Sequence, residues 1–245
     1  MHPAIQGLLT IVIGGGGNSI VLNSHDKSRT LIVDSKMKAG AKKMLAYVDG
    51  KEVFLVNTHL HPDHIGGNEI FNDAKWITGK YSEEDWKEEA GKLRMPDVMV
   101  ASGDSMSLEI GDETVTIRNM GRAHSHQDVV VYLKNRKLLM TGDMIFLEMH
   151  PVLFAGMSDT RKWRKALKKL LSDFEIDTIV PGHGPISDKS VVNDIVTYFD
   201  DIENLIDHPE KKAQIREKYK ELYTLPVMTG LGRTLDFIRK EREGE

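Results

Sequence analysis

The sequence predicts an α/β fold, and three observations point there. Short runs of β-branched and apolar residues alternate with segments of helical periodicity. One run, Val53-Phe54-Leu55-Val56, is continuously apolar, the pattern of a strand buried on both faces. Residues with metal-ligand chemistry follow several of these runs, beyond the carboxyl ends of strands, where open α/β architectures keep their sites.

In chain order, strands are expected at residues 7–13, 19–22, 30–33 and 53–57, each bounded by turn residues. Helical signals interrupt them at residues 38–47 and again at Ser82, where Asp85 three positions later completes the pattern of a capping box. A second strand-rich section covers residues 107–110, 114–119, 129–133 and 137–140. Trp163, Leu167, Leu170 and Leu171 then recur at helical spacing, giving residues 159–172 one apolar face. A strand at 178–180 follows. From about residue 189 the chain is charged and periodic enough for two or three helices, with Gly230 and Gly232 as a break. With no linker, repeat or low-complexity tract, one domain over residues 1–245 is expected.

Of the 245 residues 40% are hydrophobic, enough for a substantial core. The 33 basic and 37 acidic residues are spread along the chain and leave a net charge of -4, so no overall field favours nucleic acid or an anionic membrane. Without cysteine there is no disulfide framework, iron-sulfur cluster or thiol nucleophile, and any metal must be held by nitrogen and oxygen. The amino-terminal apolar run lacks the features of an export signal and is too short to span a bilayer, so a soluble, cytoplasmic protein is expected. Its expected partner is a small-molecule substrate; the C-terminal helices leave a dimer open.

The densest chemistry lies in Thr58-His59-Leu60-His61-Pro62-Asp63-His64, which holds three of the ten histidines. His59 and His61 leave the strand two residues apart and, if extended, point to the same side. Pro62 can begin a helix, setting Asp63 and His64 at its amino terminus. Further candidates follow other strands: His124 in GRAHS, Asp143 in TGD and His183 in PGHG.

HxHxDH at residues 59–64 with His124, Asp143 and His183 in order resembles the metallo-β-lactamase-fold superfamily of metallohydrolases, from about residue 14 to 184. The resemblance implies a four-layer αββα sandwich of two mixed sheets flanked by helices, with a dinuclear, usually zinc, site in a groove at one edge. Carried over, His59, His61 and His124 would hold one ion, Asp63, His64 and His183 the other, and Asp143 would bridge them. Iron or manganese could take the place of zinc. Two adjacent ions can share a hydroxide whose formation is shifted toward about pH 7. That hydroxide would attack a carbonyl centre in an ester, lactone, thioester or amide, with Asp63 as proton shuttle.

Zinc β-lactamases of the best-known type resemble this chain in GRAHS and the valine-rich strand after it, but carry Cys where Asp143 stands. Hydroxyacylglutathione hydrolases share the bridging Asp but not the segment MIFLEMHPVLF after it. A phosphodiesterase of the same fold is one alternative. Another is a mononuclear iron enzyme like the persulfide dioxygenases, which use two histidines and an aspartate. The flavin-partnered di-iron relatives carry glutamate where this chain has His61.

Other residues draw less specific expectations. His126 is read as an alternative ligand or groove residue, and His150 as lining the substrate groove. His2, His25 and His208 are expected in solvent. The glycines at residues 14–17 are read as a turn between two strands, since no Lys-Ser or Lys-Thr pair follows to make a phosphate cradle. Arg161, Lys162, Arg164, Lys165, Lys168 and Lys169 surround a helix's apolar face and are read as solvated. Asp34 stands where the superfamily often has an Asp-x-Gly turn and is a candidate to support the ligands.

Overall fold

A computed structural model describes residues 8–244; Gly7 and His2 lie outside them. The first sheet is built from β1 (Leu9–Val12), β2 (Ser19–Asn23), β3 (Arg29–Val33), β4 (Glu52–Val56), β5 (Lys75–Gly79) and β6 (Val98–Val100), side by side in that order. Its first three strands pair antiparallel and the rest parallel. The helices α1 (Lys38–Met44), α2 (Pro62–Ile65) and α3 (Glu83–Ala90) fall between these strands. The second sheet has the order β11-β10-β9-β8-β7, from β7 (Ser105–Ile110), β8 (Glu113–Asn119), β9 (Val129–Leu133), β10 (Leu138–Phe146) and β11 (Thr178–His183). Only β10 and β11 are parallel in it. Between them runs α4 (Thr160–Asp173), and α5 (Ser190–Asp207), α6 (Lys212–Lys218) and α7 (Leu231–Glu243) close the chain.

Period-two alternation sorts the strand side chains into layers. Leu31 and Val33 of β3 meet Val129, Val131 and Leu133 of β9 between the sheets. Ile32 of β3 faces the other way, with Ala41 and Met44 of α1. Val130 and Tyr132 of β9 turn outward onto Trp163, Leu167 and Leu170 of α4 and Phe199 of α5. The result is the predicted αββα sandwich. Gly14 to Gly17 lie in the β1–β2 turn, as expected. Ser82 caps α3, its hydroxyl accepting the Asp85 N–H at 3.1 Å. The basic residues of α4 are exposed apart from Arg164, which pairs with Asp200 and Glu203 of α5. His25 and His208 are exposed.

Three features depart from the sequence reading. The strands β5 and β6 were not expected; β6 has three residues at a sheet edge, too few for an alternation to register. The strands at 137–140 and 178–180 run on through TGDMIF and PGH, so Asp143 and His183 lie inside β10 and at the last position of β11 rather than beyond strand ends. Two register shifts around Gly142, which has φ +53°, let β10 continue through what reads locally as a turn. Pro181 is tolerated because β11 is an edge strand.

Candidate metal centre

The first sheet delivers His59, His61, Asp63 and His64 from the segment after β4; the second delivers His124 from the loop after β8, Asp143 from β10 and His183 from β11. All seven come together. Ligand atoms of His59, His61, His124 and Asp143 lie within 4.8 Å of one another, as do those of Asp63, His64 and His183.

The hydrogen bonds fix which ring atoms can bind. His124 Nδ1 is 3.1 Å from the Val152 carbonyl, an acceptor only, so it carries the proton and Nε2 presents a lone pair. The Thr58 hydroxyl donates to Asp34 Oδ2 at 2.7 Å and accepts from His59 Nδ1 at 3.1 Å, leaving His59 Nε2 bare as well. These two nitrogens stand 2.9 and 3.0 Å from His61 Nδ1. Burial holds His59, His61 and His124 below the usual imidazole pKa, His124 at about 3. One proton at His61 Nδ1 can serve only one of its two neighbours, so the trio is a nest of lone pairs, a poor arrangement for itself and a good one for a cation. Asp143 Oδ2 completes it, 3.8 Å from His59 Nε2 and 3.5 Å from His124 Nε2.

The second group is charged differently. His64 Nδ1 donates to Asp34 Oδ2 at 2.7 Å. Its buried Nε2 faces Asp143 Oδ1 at 3.1 Å and Asp63 Oδ2 at 3.5 Å. His183 Nε2 lies 3.0 Å from Asp63 Oδ2 and 3.5 Å from Asp143 Oδ1. Donors around a tetrahedral zinc ion stand roughly 3.3–3.6 Å apart, and the pairs in the two groups, at 2.9 to 3.8 Å, bracket that spacing with the nitrogen and oxygen atoms such an ion takes. Burial alone would lower the pKa of His64 and His183, but the carboxylates outweigh it: Asp143 and Asp34 push His64 well up, and Asp143 with Asp63 pushes His183 to about 9. Burial would raise Asp143, yet the His183 and His64 charges hold it well below the carboxylate range.

Metal-free protein at pH 7 therefore carries protons on His64 and His183 that an ion must displace, whereas the trio is already neutral. Loading the Asp63, His64 and His183 group at pH 7 is expected to release about two protons, and its apparent affinity to rise with pH for as long as His64 or His183 stays protonated, His183 up to about 9. Isothermal titration in two buffers of different ionisation enthalpy reads the release directly; identical heats would contradict it.

Asp34 supports the ligands as anticipated: fully buried, it also accepts the Thr58 N–H through Oδ1 at 2.8 Å. Sequence reasoning missed Asp128, which pins the His124 loop. Its Oδ2 accepts from the Ala123 and Ser125 N–H groups at 3.0 and 2.9 Å, and its Oδ1 from the Ser125 hydroxyl. A buried Asp four residues after the ligand, in a loop, was the available signal. Missed too was Lys36, fully buried, whose amine donates to the Gly17 carbonyl. Two glycines allow close approach: a Cβ on Gly17 would overlap the His64 ring, and one on Gly182 would overlap Asp143 Oδ1. Asn18 clasps the β1–β2 turn to β11, its N–H bonded to the Gly182 carbonyl and its amide to those of Pro181 and Gly184.

A groove of about 640 Å³ opens over the cluster, with His61, Asp63, His124, Asp143 and His183 in its floor. Two histidines anticipated at the groove are not among its lining. His126 pairs through Nδ1 with Glu89 of α3 at 2.5 Å. His150 is buried with Nδ1 2.7 Å from the Tyr198 hydroxyl of α5, because the backbone pairing of residues 149 and 150 with Tyr223 turns Met149 to the groove and His150 to the helices.

Two packed sheets with a histidine-aspartate cluster at their shared edge define an αββα protein whose clustered side chains could hold a metal ion. A model of the metallo-beta-lactamase superfamily matches residues 12–183, and the chain belongs to that superfamily. Its members are mostly hydrolases, and some are oxidoreductases. A beta-lactamase-like protein 2 homolog from Caenorhabditis elegans is 24% identical over 91% of this chain and 70% of its own length. An uncharacterized protein of the same organism is 26% identical over 70% of this chain, which spans 46% of that protein's length. Among solved structures, DIM-1 metallo-beta-lactamase superposes with a TM-score of 0.66 at 21% identity, covering 80% of this chain and 94% of the other, a likeness of fold. Among the described residues no helix is long and apolar enough to cross a membrane.

Proposed function

We propose that this protein is a dinuclear zinc hydrolase acting on a carbonyl centre. The observation that carries the reading is the division of seven side chains into two groups with Asp143 between them, Oδ2 toward the neutral trio and Oδ1 toward His64 and His183. His59, His61 and His124 would hold one ion and Asp63, His64 and His183 the other. When bound, the ions would supply Lewis acidity toward a carbonyl oxygen and lower the pKa of water toward about 7.

The chain's own groups do the remaining work. Thr58, the Val152 carbonyl and Asp34 hold the imidazoles in their binding tautomers. Burial would raise the Asp63 carboxyl, but the His183 hydrogen bond and the His64 charge bring it below its usual value, so it stands ionised at neutral pH, with its site for a proton open. With Oδ2 turned to His64 and His183, Asp63 would take a proton at Oδ1 and pass it to the leaving group. Elemental analysis of protein purified without added metal is expected to give about two zinc ions per chain. One iron and no zinc would sink the reading in favour of mononuclear oxidative chemistry.

A further inference from the structure

Beyond its metal-facing floor the groove is walled by apolar side chains. Met149 and Phe154 come from the segment between β10 and α4, and Met37 from the segment before α1. Tyr223, Leu225 and Met228 join them from the strap between α6 and α7, C-terminal to the residues that match the superfamily model, with Tyr223 paired beside Met149. The strap is fixed to its neighbour by backbone, Tyr223 N–H donating to the Glu148 carbonyl at 2.8 Å and His150 N–H to the Tyr223 carbonyl at 3.0 Å, and is turned on itself by Leu225 N–H donating to the Thr229 hydroxyl at 2.8 Å.

Six large apolar side chains stand exposed among the described residues; Met37, Tyr223 and Met228 line this groove and Val227 is on the same strap. An apolar rim concentrated at one opening marks a binding surface rather than scattered surface chance. No lysine or arginine is among the lining residues. Nearby Lys36 is committed to the Gly17 carbonyl, and Arg122 to the carbonyls of Gly156, Met157 and Ser158. A substrate anion away from the ions would lose its hydration and gain no cation. Methionine, unbranched and adaptable, suits a flexible chain.

We infer that the site takes a carboxylic ester or lactone whose non-reacting part is an uncharged aliphatic chain, lying in the groove against Met149, Phe154 and the Tyr223–Met228 strap. This rests on the hydrolase reading for the bond that is broken, and on the groove alone for the chain that is bound. The strap, outside the family-matched region, is then the element that sets specificity.

The test uses metal-free protein and straight-chain methyl ketones from 2-butanone to 2-decanone, with binding followed by calorimetry. Affinity is expected to tighten about threefold to fourfold for each methylene buried. Suberate, which adds a second carboxylate at the far end of a chain of octanoate's length, is expected to bind at least about tenfold more weakly than octanoate, since one carboxylate can face His183 in the floor and the other is desolvated unpaired among the apolar side chains. Met228→Asp, at a half-exposed position where folding is little at stake, should flatten the chain-length dependence. A flat series in the unaltered protein, or suberate binding as tightly as octanoate, would overturn the inference. Zinc-loaded protein assayed on p-nitrophenyl acetate through decanoate separates the two readings. Hydrolysis without preference for longer chains, together with a flat ketone series, leaves the hydrolase and removes the aliphatic occupant. A steep ketone series with none of these esters hydrolysed keeps the occupant and removes ester hydrolysis from the reading.

Discussion

Asp63→Asn is expected to lower turnover by about 10²- to 10⁴-fold, the range that a positioned proton carrier contributes. The amide keeps the size of the carboxylate and an oxygen that can face His64 and His183, where Asp63 Oδ2 now stands at 3.5 and 3.0 Å. It cannot take up a proton. Steady-state kinetics and elemental analysis on the same preparation separate the two functions: turnover should collapse while much of the metal is retained. Full activity with both ions bound would remove Asp63 from proton transfer, and loss of metal in parallel with activity would make it a ligand only.

The second large effect is expected away from the groove, at Asp34. Its carboxylate accepts from the Thr58 N–H, the Thr58 hydroxyl and His64 Nδ1, all buried. Asp34→Ala strands these donors and leaves a raised-pKa histidine without its partner, a loss of about 3–5 kcal/mol for breaking a buried charged pair. The His64 ring also loses the bond that sets its tautomer, so affinity for the ion it would hold should fall about 10- to 100-fold. Chemical denaturation of metal-free protein measures the first effect and competition with a chelator the second. A variant with unchanged affinity would show that packing against Gly17, rather than Asp34, orients the ring.

The seven ligands were legible because local order carries them: HxHxDH follows a continuously apolar strand, and each remaining ligand sits in a short glycine-containing context. The layers were legible too, through alternations such as Leu31-Ile32-Val33. Where β10 and β11 stop was not. Thr141-Gly142 and Pro181-Gly182 have turn chemistry, and only the pairing of the two strands across a bulge overrides it. Tertiary context also decided His150, whose direction depends on a backbone pairing with Tyr223, 73 positions away by residue number. Asp128 and Lys36 act through backbone groups that a side-chain pattern does not display. The role of the segment after residue 189 was hidden because the strap's Tyr223, Leu225 and Met228 follow no period; they converge with Met37 only in three dimensions.

The clasp made by Asn18 joins the first strands of one sheet to the last strand of the other, beside His64 and His183. Neither half of the polypeptide carries a full set of donors for both groups, so the centre exists only after segments made early and late in synthesis have docked. An ion that recognises the docked arrangement would act as a molecular rivet. At a free concentration about 100 times its Kd it would add about 2.7 kcal/mol to the stability of the folded chain. The abundance of this protein in a cell would then track metal supply through its lifetime, independently of any substrate it meets.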